Sequence, residues 1–254
     1  MGGATSLETG GYRFLPSVFQ YSAGVVAEPG YEIQRVRFRS LVSLDVGFNA
    51  IERFIRAAGR PITALCACEL RSPAPFTDDG FHVFNEQYVS RLKAWGIMKG
   101  DVNPVARSNV CPEISPPSVP SFYGFSFTIK SSNVGPTFVV AGSGEAPEGV
   151  PGDYADRAIR KGETTPDAMR EKACYVLGEM ERRMNLLGCG WKSSTLVQLY
   201  TVHDFHCFFA DEIVRRGAAC NGATWHFARP PLRGLEYEMD CAGLRLETVI
   251  DATA

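Results

Sequence analysis

A helix–strand–helix pattern that occurs twice in the chain constrains the fold more than any other feature of the sequence. Apolar residues at helical spacing alternate with short apolar runs of strand character, in the same order in both halves. The predicted elements are helix 46–58, strand 62–70 and helix 79–95 in the first half, and helix 168–187, strand 194–201 and helix 204–216 in the second. Gly59 and Gly188, each predicted to end the first helix of its half, are 129 residues apart in a chain of 254. The pattern therefore predicts an internal duplication of one unit.

Further strands complete each half of the chain. They are predicted over residues 18–26, 122–129, 137–141 and 235–246. Each half then becomes a mixed α/β (α+β) unit with two helices packed on one face of a sheet. We predict domains over 13–128 and 129–250, with a hinge at the proline-rich residues 115–120. Residues 142–165 are rich in glycine, proline and charge and are predicted to form a long surface loop.

Composition excludes several classes of partner. The chain has 26 basic and 28 acidic residues, so no strongly positive surface for nucleic acid is expected. No segment approaches the roughly 18 apolar residues of a membrane helix, and the first residues lack the pattern of a signal peptide. Eight cysteines in a chain of this size are expected to be reduced and mostly buried. We therefore expect a cytoplasmic protein without a membrane or nucleic-acid partner.

The histidines do not have the spacing of a metal site. His203 and His206 are three residues apart, whereas zinc-binding helices place two histidines four residues apart. Neither a Gly-x-Ser-x-Gly turn nor a phosphate-binding loop with lysine occurs. We expect no metal site.

Four short segments carry a resemblance to a known family. Residues 104–110 (PVARSNV) are similar to a Pro-Ala-Arg-Ser-x-Val motif, with one residue inserted after the proline. Residues 20–22, 81–88 and 143–147 are similar to Pro-Tyr-Ser, Phe-x-x-x-Asn-x-x-Tyr and Ser-Gly-Gln-x-Pro. In order and spacing they resemble the RidA (YjgF/UK114) family of enamine and imine deaminases. The resemblance covers about residues 18–128 and 129–247, and implies two fused RidA-like domains of the chorismate-mutase-like fold.

The two halves depart from the family pattern in complementary ways. In the second half, the position of the family arginine falls near Gly222, with no basic residue there. Glu238 matches the glutamate with which the family positions water, but strand 122–128 of the first half has no acid. Sites in this family lie between neighbouring domains. The resemblance therefore implies a composite site, with Arg107 and Tyr21 from the first half and Ser143, Gly144 and Glu238 from the second.

Two charged residues are the strongest candidates for the chemistry. A bidentate pair between Arg107 and a substrate carboxylate would orient a small acid, although a structural salt bridge to Glu113 is the simpler alternative. Glu238 could activate water for attack on a C=N carbon. On an alternating strand Glu236, Glu238 and Asp240 share one face, so a solvated acidic face is the alternative. If these acids are buried, they raise one another's pKa.

Three further residues are candidates for contact with the ligand. Tyr21 is predicted to close over the substrate or donate a hydrogen bond, with ordinary core packing as the alternative. Ser143 lies where a strand meets a glycine-containing loop, and its backbone N–H, together with Gly144, is predicted to contact the ligand. A serine at a loop tip without a role is the alternative.

The resemblance implies a hydrolytic deaminase without a cofactor. The predicted substrate is a small carboxylate-bearing enamine or imine, similar to 2-aminomuconate or 2-aminoacrylate, which is converted to a carbonyl compound and ammonia. Two alternatives remain open: a chorismatase-like hydrolase on the same duplicated scaffold, and a ligand-binding or regulatory protein without catalysis. RidA-type domains assemble in threes, so a homo-oligomer, namely a trimer, is predicted.

Overall fold

The computed structural model describes residues 3–252 and contains two mixed β-sheets flanked by helices. The strands are β1 (Thr5–Leu7), β2 (Tyr12–Leu15), β3 (Gly24–Ala27), β4 (Tyr31–Ser43), β5 (Leu65–Arg71), β6 (Ala106–Pro112), β7 (Ser121–Lys130), β8 (Phe138–Gly144), β9 (Leu196–Tyr200), β10 (Thr224–His226), β11 (Ala228–Arg229), β12 (Glu238–Gly243) and β13 (Leu246–Ile250). The helices are α1 (Leu44–Ala57), α2 (Asp78–Ala94), α3 (Tyr154–Arg157), α4 (Pro166–Leu186) and α5 (His206–Phe208), with 3₁₀ turns at Ile62–Ala64 and Trp191–Ser193. No helix in this described range is long and apolar enough to cross a bilayer.

Each sheet takes strands from both halves of the chain. The seven-stranded sheet has the order β1-β2-β3-β8-β12-β9-β10, and the six-stranded sheet has the order β11-β6-β5-β7-β4-β13. The N-terminal strands β1 to β3 therefore extend the sheet of the second half, while β11 and β13 extend the sheet of the first. Pairing thus crosses the domain boundary predicted at residue 128. This exchange brings residues from both halves to one place.

Five of the six elements of the predicted repeat are confirmed. The exception is helix 204–216, which is α-helical only over α5 and continues as a π-helical turn at Phe209–Val214. Phe208 and Ile213 are both buried and five residues apart. A π-helical turn, with its i to i+5 hydrogen bonds, places this spacing on one face.

The sequence did not predict β4, and two predicted strands are divided differently. Over residues 32–38, β4 has buried residues on both faces, and Arg35 is one of them, so its sequence shows no simple apolar alternation. Of the strand predicted over residues 18–26, only the part within β3 is a strand. The strand predicted over residues 235–246 contains β12 and ends where β13 begins.

Three layers of apolar residues hold the elements together. Helices α1 and α2 pack on the six-stranded sheet, and α4 packs on the seven-stranded sheet. A third apolar cluster, which includes Tyr12, Phe14 and Cys66, joins strands of both sheets. All eight cysteines are free thiols, and five of them are buried.

Candidate active site

A pocket lies where β6 of the first half meets β8 and β12 of the second. The structure brings four of the predicted residues together in its wall: Tyr21, Arg107, Gly144 and Glu238. The remaining wall residues are Phe81, Asn109, Gly142, Ala146, Glu148, Tyr154, Pro231, Leu232 and Leu235. A mostly apolar pocket with a few converging polar groups is typical of a small-molecule site.

Arg107 lies in this wall without a protein counter-ion. It is 3% exposed, and its guanidinium carbon lies 5.3 Å from the ring centre of Tyr21 and 4.9 Å from that of Tyr88. Within residues 3–252 it forms no ion pair, and its buried Nη1 has no hydrogen-bond partner. Glu113 binds Arg229 instead, at 2.7 Å, so the alternative of a salt bridge between Arg107 and Glu113 is wrong. Burial lowers the pKa of Arg107, and an anionic ligand would stabilise its charge.

Asn109 provides a second unpaired donor beside Arg107. The two residues alternate on β6 and both line the pocket. The Asn109 Oδ1 accepts a hydrogen bond from Ser72 Oγ at 2.9 Å, which orients the amide, while its buried Nδ2 has no partner among the described residues. A buried donor without a partner is destabilising by about 1–3 kcal/mol, so two of them indicate a ligand with acceptor oxygens. Sequence reasoning missed Asn109, although the two-residue alternation after Arg107 was a signal for it.

Glu238 is a buried carboxyl without a protein partner. It is 4% exposed and forms no ion pair with any described residue. Burial raises the pKa of Glu238 well above its ordinary 4.5, and the charges of Asp240 and Glu148 raise it further. Gly142 leaves room for it, because a Cβ there would lie 2.2 Å from Glu238 Oε1. The alternative of a solvated acidic face is therefore wrong for Glu238, which is buried in the pocket wall with a raised pKa.

Tyr21 contributes its ring to the pocket and its hydroxyl to a buried ion pair. The Tyr21 hydroxyl donates to Glu148 Oε1 at 2.9 Å, and Glu148 Oε2 lies 3.0 Å from Arg183 Nη2. Sequence reasoning missed both Glu148 and Arg183. Arg183 is fully buried on α4, and its charge is neutralised by Glu148. This pair fixes the segment after β8 against the pocket.

Ser143 and Gly144 are placed differently from one another. Gly144 lines the pocket, whereas Ser143 does not, because adjacent residues of β8 point to opposite faces. The Ser143 hydroxyl instead accepts a hydrogen bond from Arg183 Nη2 at 3.2 Å. The side chain of Ser143 is thus directed toward α4. This placement does not support the predicted contact of Ser143 with the ligand.

A second buried polar cluster lies between the two sheets, and we call it the Arg35 network. Arg35 binds both carboxylate oxygens of Glu69, at 2.6 and 2.7 Å. Burial by itself would raise the pKa of Glu69, but the charge of Arg35 lowers it to about 2. The other members are Ser108, Gln198, Tyr200, Asp240 and Glu247. In this cluster each carboxylate has a protein partner.

Comparisons with known proteins show the family to which the chain belongs. The family model of the 2-aminomuconate deaminase CnbZ matches residues 4–248. The chain is 48% identical over 249 residues to a 2-amino-5-chloromuconate deaminase of Comamonas testosteroni. The matched residues cover 97% of this chain and 99% of that protein.

The fold is similar to that of a solved chorismatase structure. A chorismatase crystal structure has a TM-score of 0.51 at 13% identity, covering 87% of this chain and 77% of its own, which shows a shared fold. The structure of TdcF of Escherichia coli with bound serine has a TM-score of 0.30 at 12% identity, covering 43% of this chain and 80% of its own. The tandem RidA-type arrangement stays a prediction. The family model and the deaminase relative extend over nearly the whole chain, so this protein is an enzyme that belongs to the 2-aminomuconate deaminase CnbZ family.

Proposed function

We propose that the enzyme hydrolytically deaminates a 2-aminomuconate-type substrate. Such a substrate is a six-carbon diene with a carboxylate at each end and an amino group beside one of them. The proposal depends above all on one observation: Arg107, which has no counter-ion among the described residues, and the buried Glu238 line the same pocket. The activities of the family and of its 48% identical relative support it.

Arg107 and Asn109 would bind the carboxylate next to the carbon that carries nitrogen. Arg107 Nη1 and Asn109 Nδ2 are unpaired donors on the same strand face, and a carboxylate offers an oxygen to each. The rings of Tyr21 and Phe81 surround the guanidinium and exclude water from it. This fixes the plane of the substrate relative to Glu238.

The first part of the reaction converts the enamine to an iminium ion. Glu238, as the neutral acid, donates its proton to a carbon of the conjugated C=C–N system, and the nitrogen lone pair forms the C=N bond. Glu238 is now a carboxylate. It takes a proton from water while the water oxygen attacks the C=N carbon, which gives a neutral carbinolamine and restores the acid.

The second part of the reaction releases ammonia. Glu238 protonates the carbinolamine nitrogen and becomes a carboxylate again. The C–N bond breaks and its electrons leave with ammonia, while the carboxylate takes the hydroxyl proton and the C=O bond forms. The sum is enamine plus water to oxo acid plus ammonia, with Glu238 returned to its neutral form.

The test is ammonia release from 2-aminomuconate by the wild type and by Glu238→Gln. We expect the variant to lose about 100-fold or more in kcat, because it can neither donate nor accept the proton. Glu236→Gln is the matched control, since Glu236 is two residues away, binds His203 and does not line the pocket. Equal rates for wild type and Glu238→Gln would refute this mechanism. A wild type that leaves 2-aminomuconate unchanged would refute the proposed function.

The remaining predictions are tested in the same series. 2-Aminoacrylate generated in place tests the smaller substrate, and chorismate tests the chorismatase-like alternative, which the shared fold keeps open. Pyruvate from chorismate without ammonia would favour that alternative. The trimer stays a prediction, which light scattering tests, and a mass of one chain would refute it.

A further inference from the structure

A second cavity opens beside the pocket, and we call it the vestibule. It shares Phe81 and Tyr154 with the pocket. The ring of Phe81 also lies 5.6 Å from the guanidinium carbon of Arg107. A ligand held by Arg107 that is longer than the pocket would therefore extend past Phe81 and Tyr154 into the vestibule.

Arg157 is the arginine of the vestibule, and it has no carboxylate partner within residues 3–252. Its guanidinium packs on the ring of Tyr154, at 4.3 Å from the ring centre. Its hydrogen bonds go to backbone carbonyl oxygens, those of Pro147 and Asp153. These contacts hold the side chain in place but leave its positive charge without a counter-ion.

The other cations around Arg157 are neutralised. Arg160, three residues further along the chain, binds three carboxylates, those of Glu163, Asp167 and Glu171. Arg183 binds Glu148 behind Tyr21. Arg157 therefore resembles Arg107 in having no ion pair with a described residue, although Arg157 is half-buried and Arg107 is buried.

One acid also lines the vestibule, namely Asp78. Its Oδ1 accepts a hydrogen bond from the backbone N–H of Tyr154 at 3.1 Å, and it lies in the first turn of α2. Asp78 forms no ion pair with Arg157. It therefore holds α3 next to α2, and Arg157 remains available to an anion.

We propose that Arg157 binds the second carboxylate of the substrate and makes the enzyme selective for dicarboxylates. The inference rests on the proposed function, since it assigns the far end of the molecule whose near end Arg107 binds. Phe81 lies beside Arg107 and Tyr154 lies beside Arg157, and both rings line the pocket as well as the vestibule. A flat conjugated chain fits such aromatic walls, and its two carboxylates match two unpaired arginines.

The test uses two acids that lack the amino group and so are not turned over. Muconate (hexa-2,4-dienedioate) and sorbate (hexa-2,4-dienoate) share the diene and differ in the second carboxylate. Calorimetric titration gives the ratio of the sorbate Kd to the muconate Kd for wild type, Arg157→Gln and Arg157→Lys. Arg160→Gln is the control from the same segment, because its charge is already paired.

We expect wild type and Arg160→Gln to bind muconate more tightly than sorbate. In Arg157→Gln the ratio of the sorbate Kd to the muconate Kd should fall about tenfold, and in Arg157→Lys it should fall by less. A variant that merely loosened the segment would bind both acids more weakly and leave the ratio unchanged. An unchanged ratio, or no binding of muconate by wild type, overturns the inference. A normal ratio shift together with no ammonia release from 2-aminomuconate would instead refute the proposed function and leave the assignment of Arg157 standing.

Discussion

Arg35 and Arg107 are both buried on strands of the six-stranded sheet, yet their surroundings differ completely. Arg35 forms two short hydrogen bonds with Glu69 and a further ion pair with Glu247. Arg107 is enclosed by aromatic rings and has no counter-ion among the described residues. A buried charge without a partner is unfavourable in the folded protein, so its presence indicates a ligand that supplies the partner. The comparison separates an arginine whose charge is paired within the protein from one that we propose binds substrate.

The largest effect is expected for Arg35→Met. The change leaves the Glu69 carboxylate buried without its partner, and breaking a buried pair lowers the free energy of unfolding by about 3–5 kcal/mol. Urea denaturation measures the loss, and Arg39→Met is the control, because Arg39 is exposed on the same strand and pairs with Asp251. A loss equal to that of Arg39→Met would show that the Arg35 network does not stabilise the fold.

Acidification gives a second test of the same pair. The pKa of Glu69 is lowered to about 2 in the folded protein, against an ordinary 4.5. Its contribution to stability is therefore complete above pH 4.5 and is lost as the pH falls from there toward 2. The difference in stability between wild type and Arg35→Met should narrow over this acidic range.

Arg107→Met should have the opposite effect to Arg35→Met, namely a large loss of activity and little loss of stability. We expect kcat/KM for 2-aminomuconate to fall by about 100-fold or more, because a charge-assisted pair and substrate orientation are lost together. The free energy of unfolding should stay within about 1 kcal/mol of wild type, since no protein partner is left unpaired. Steady-state kinetics and denaturation on the same preparations check both. A destabilisation as large as that of Arg35→Met would show that Arg107, like Arg35, stabilises the fold.

Glu238→Gln should make the protein more stable at neutral pH while it removes activity. Burial raises the pKa of Glu238 above its ordinary 4.5 in the folded state. The folded state then binds more protons than the unfolded state in the window above pH 4.5, so wild-type stability falls as the pH rises through it. The variant lacks this loss, so its advantage should grow with pH from about 4.5 upward. Denaturation at several pH values measures it, and a constant difference between the two proteins would contradict the raised pKa.

The repeated helix–strand–helix order could be predicted from the sequence because it depends on local periodicity. Helices α1, α2 and α4 carry apolar residues at helical spacing, and these faces are buried. The exchange of β1 to β3 and of β13 between the sheets was not visible. Strand partners far apart in sequence are chosen by tertiary packing. A strand such as β4, in which Glu32 and Arg35 are buried among apolar residues, does not follow the apolar alternation on which such predictions depend.

The site was predictable only to the extent that motifs marked it. Arg107, Tyr21 and Glu238 lie in segments that resemble RidA motifs, and all three line the pocket. Ser143 and Gly144 were both predicted to contact the ligand, but only Gly144 lines the pocket, because a motif does not tell which residues of a strand face inward. Arg157 lies in a segment predicted as loop, where no periodicity shows which side chains point to a cavity.

Ser72→Ala should have the smallest effect of these substitutions. It tests the orientation of the Asn109 amide beside Arg107 without a change of charge. Ser72 Oγ donates to Asn109 Oδ1, and this bond directs Asn109 Nδ2 toward the pocket beside Arg107. Without it the amide can rotate, so we expect KM for 2-aminomuconate to rise about threefold to tenfold while kcat changes little, in keeping with about 1 kcal/mol for a hydrogen bond. Ser121→Ala is the matched control, a buried serine whose hydroxyl binds the Val119 carbonyl away from the pocket. If the two variants gave the same KM, Asn109 would not bind the carboxylate, and the unpaired Arg107 alone would have to orient the substrate.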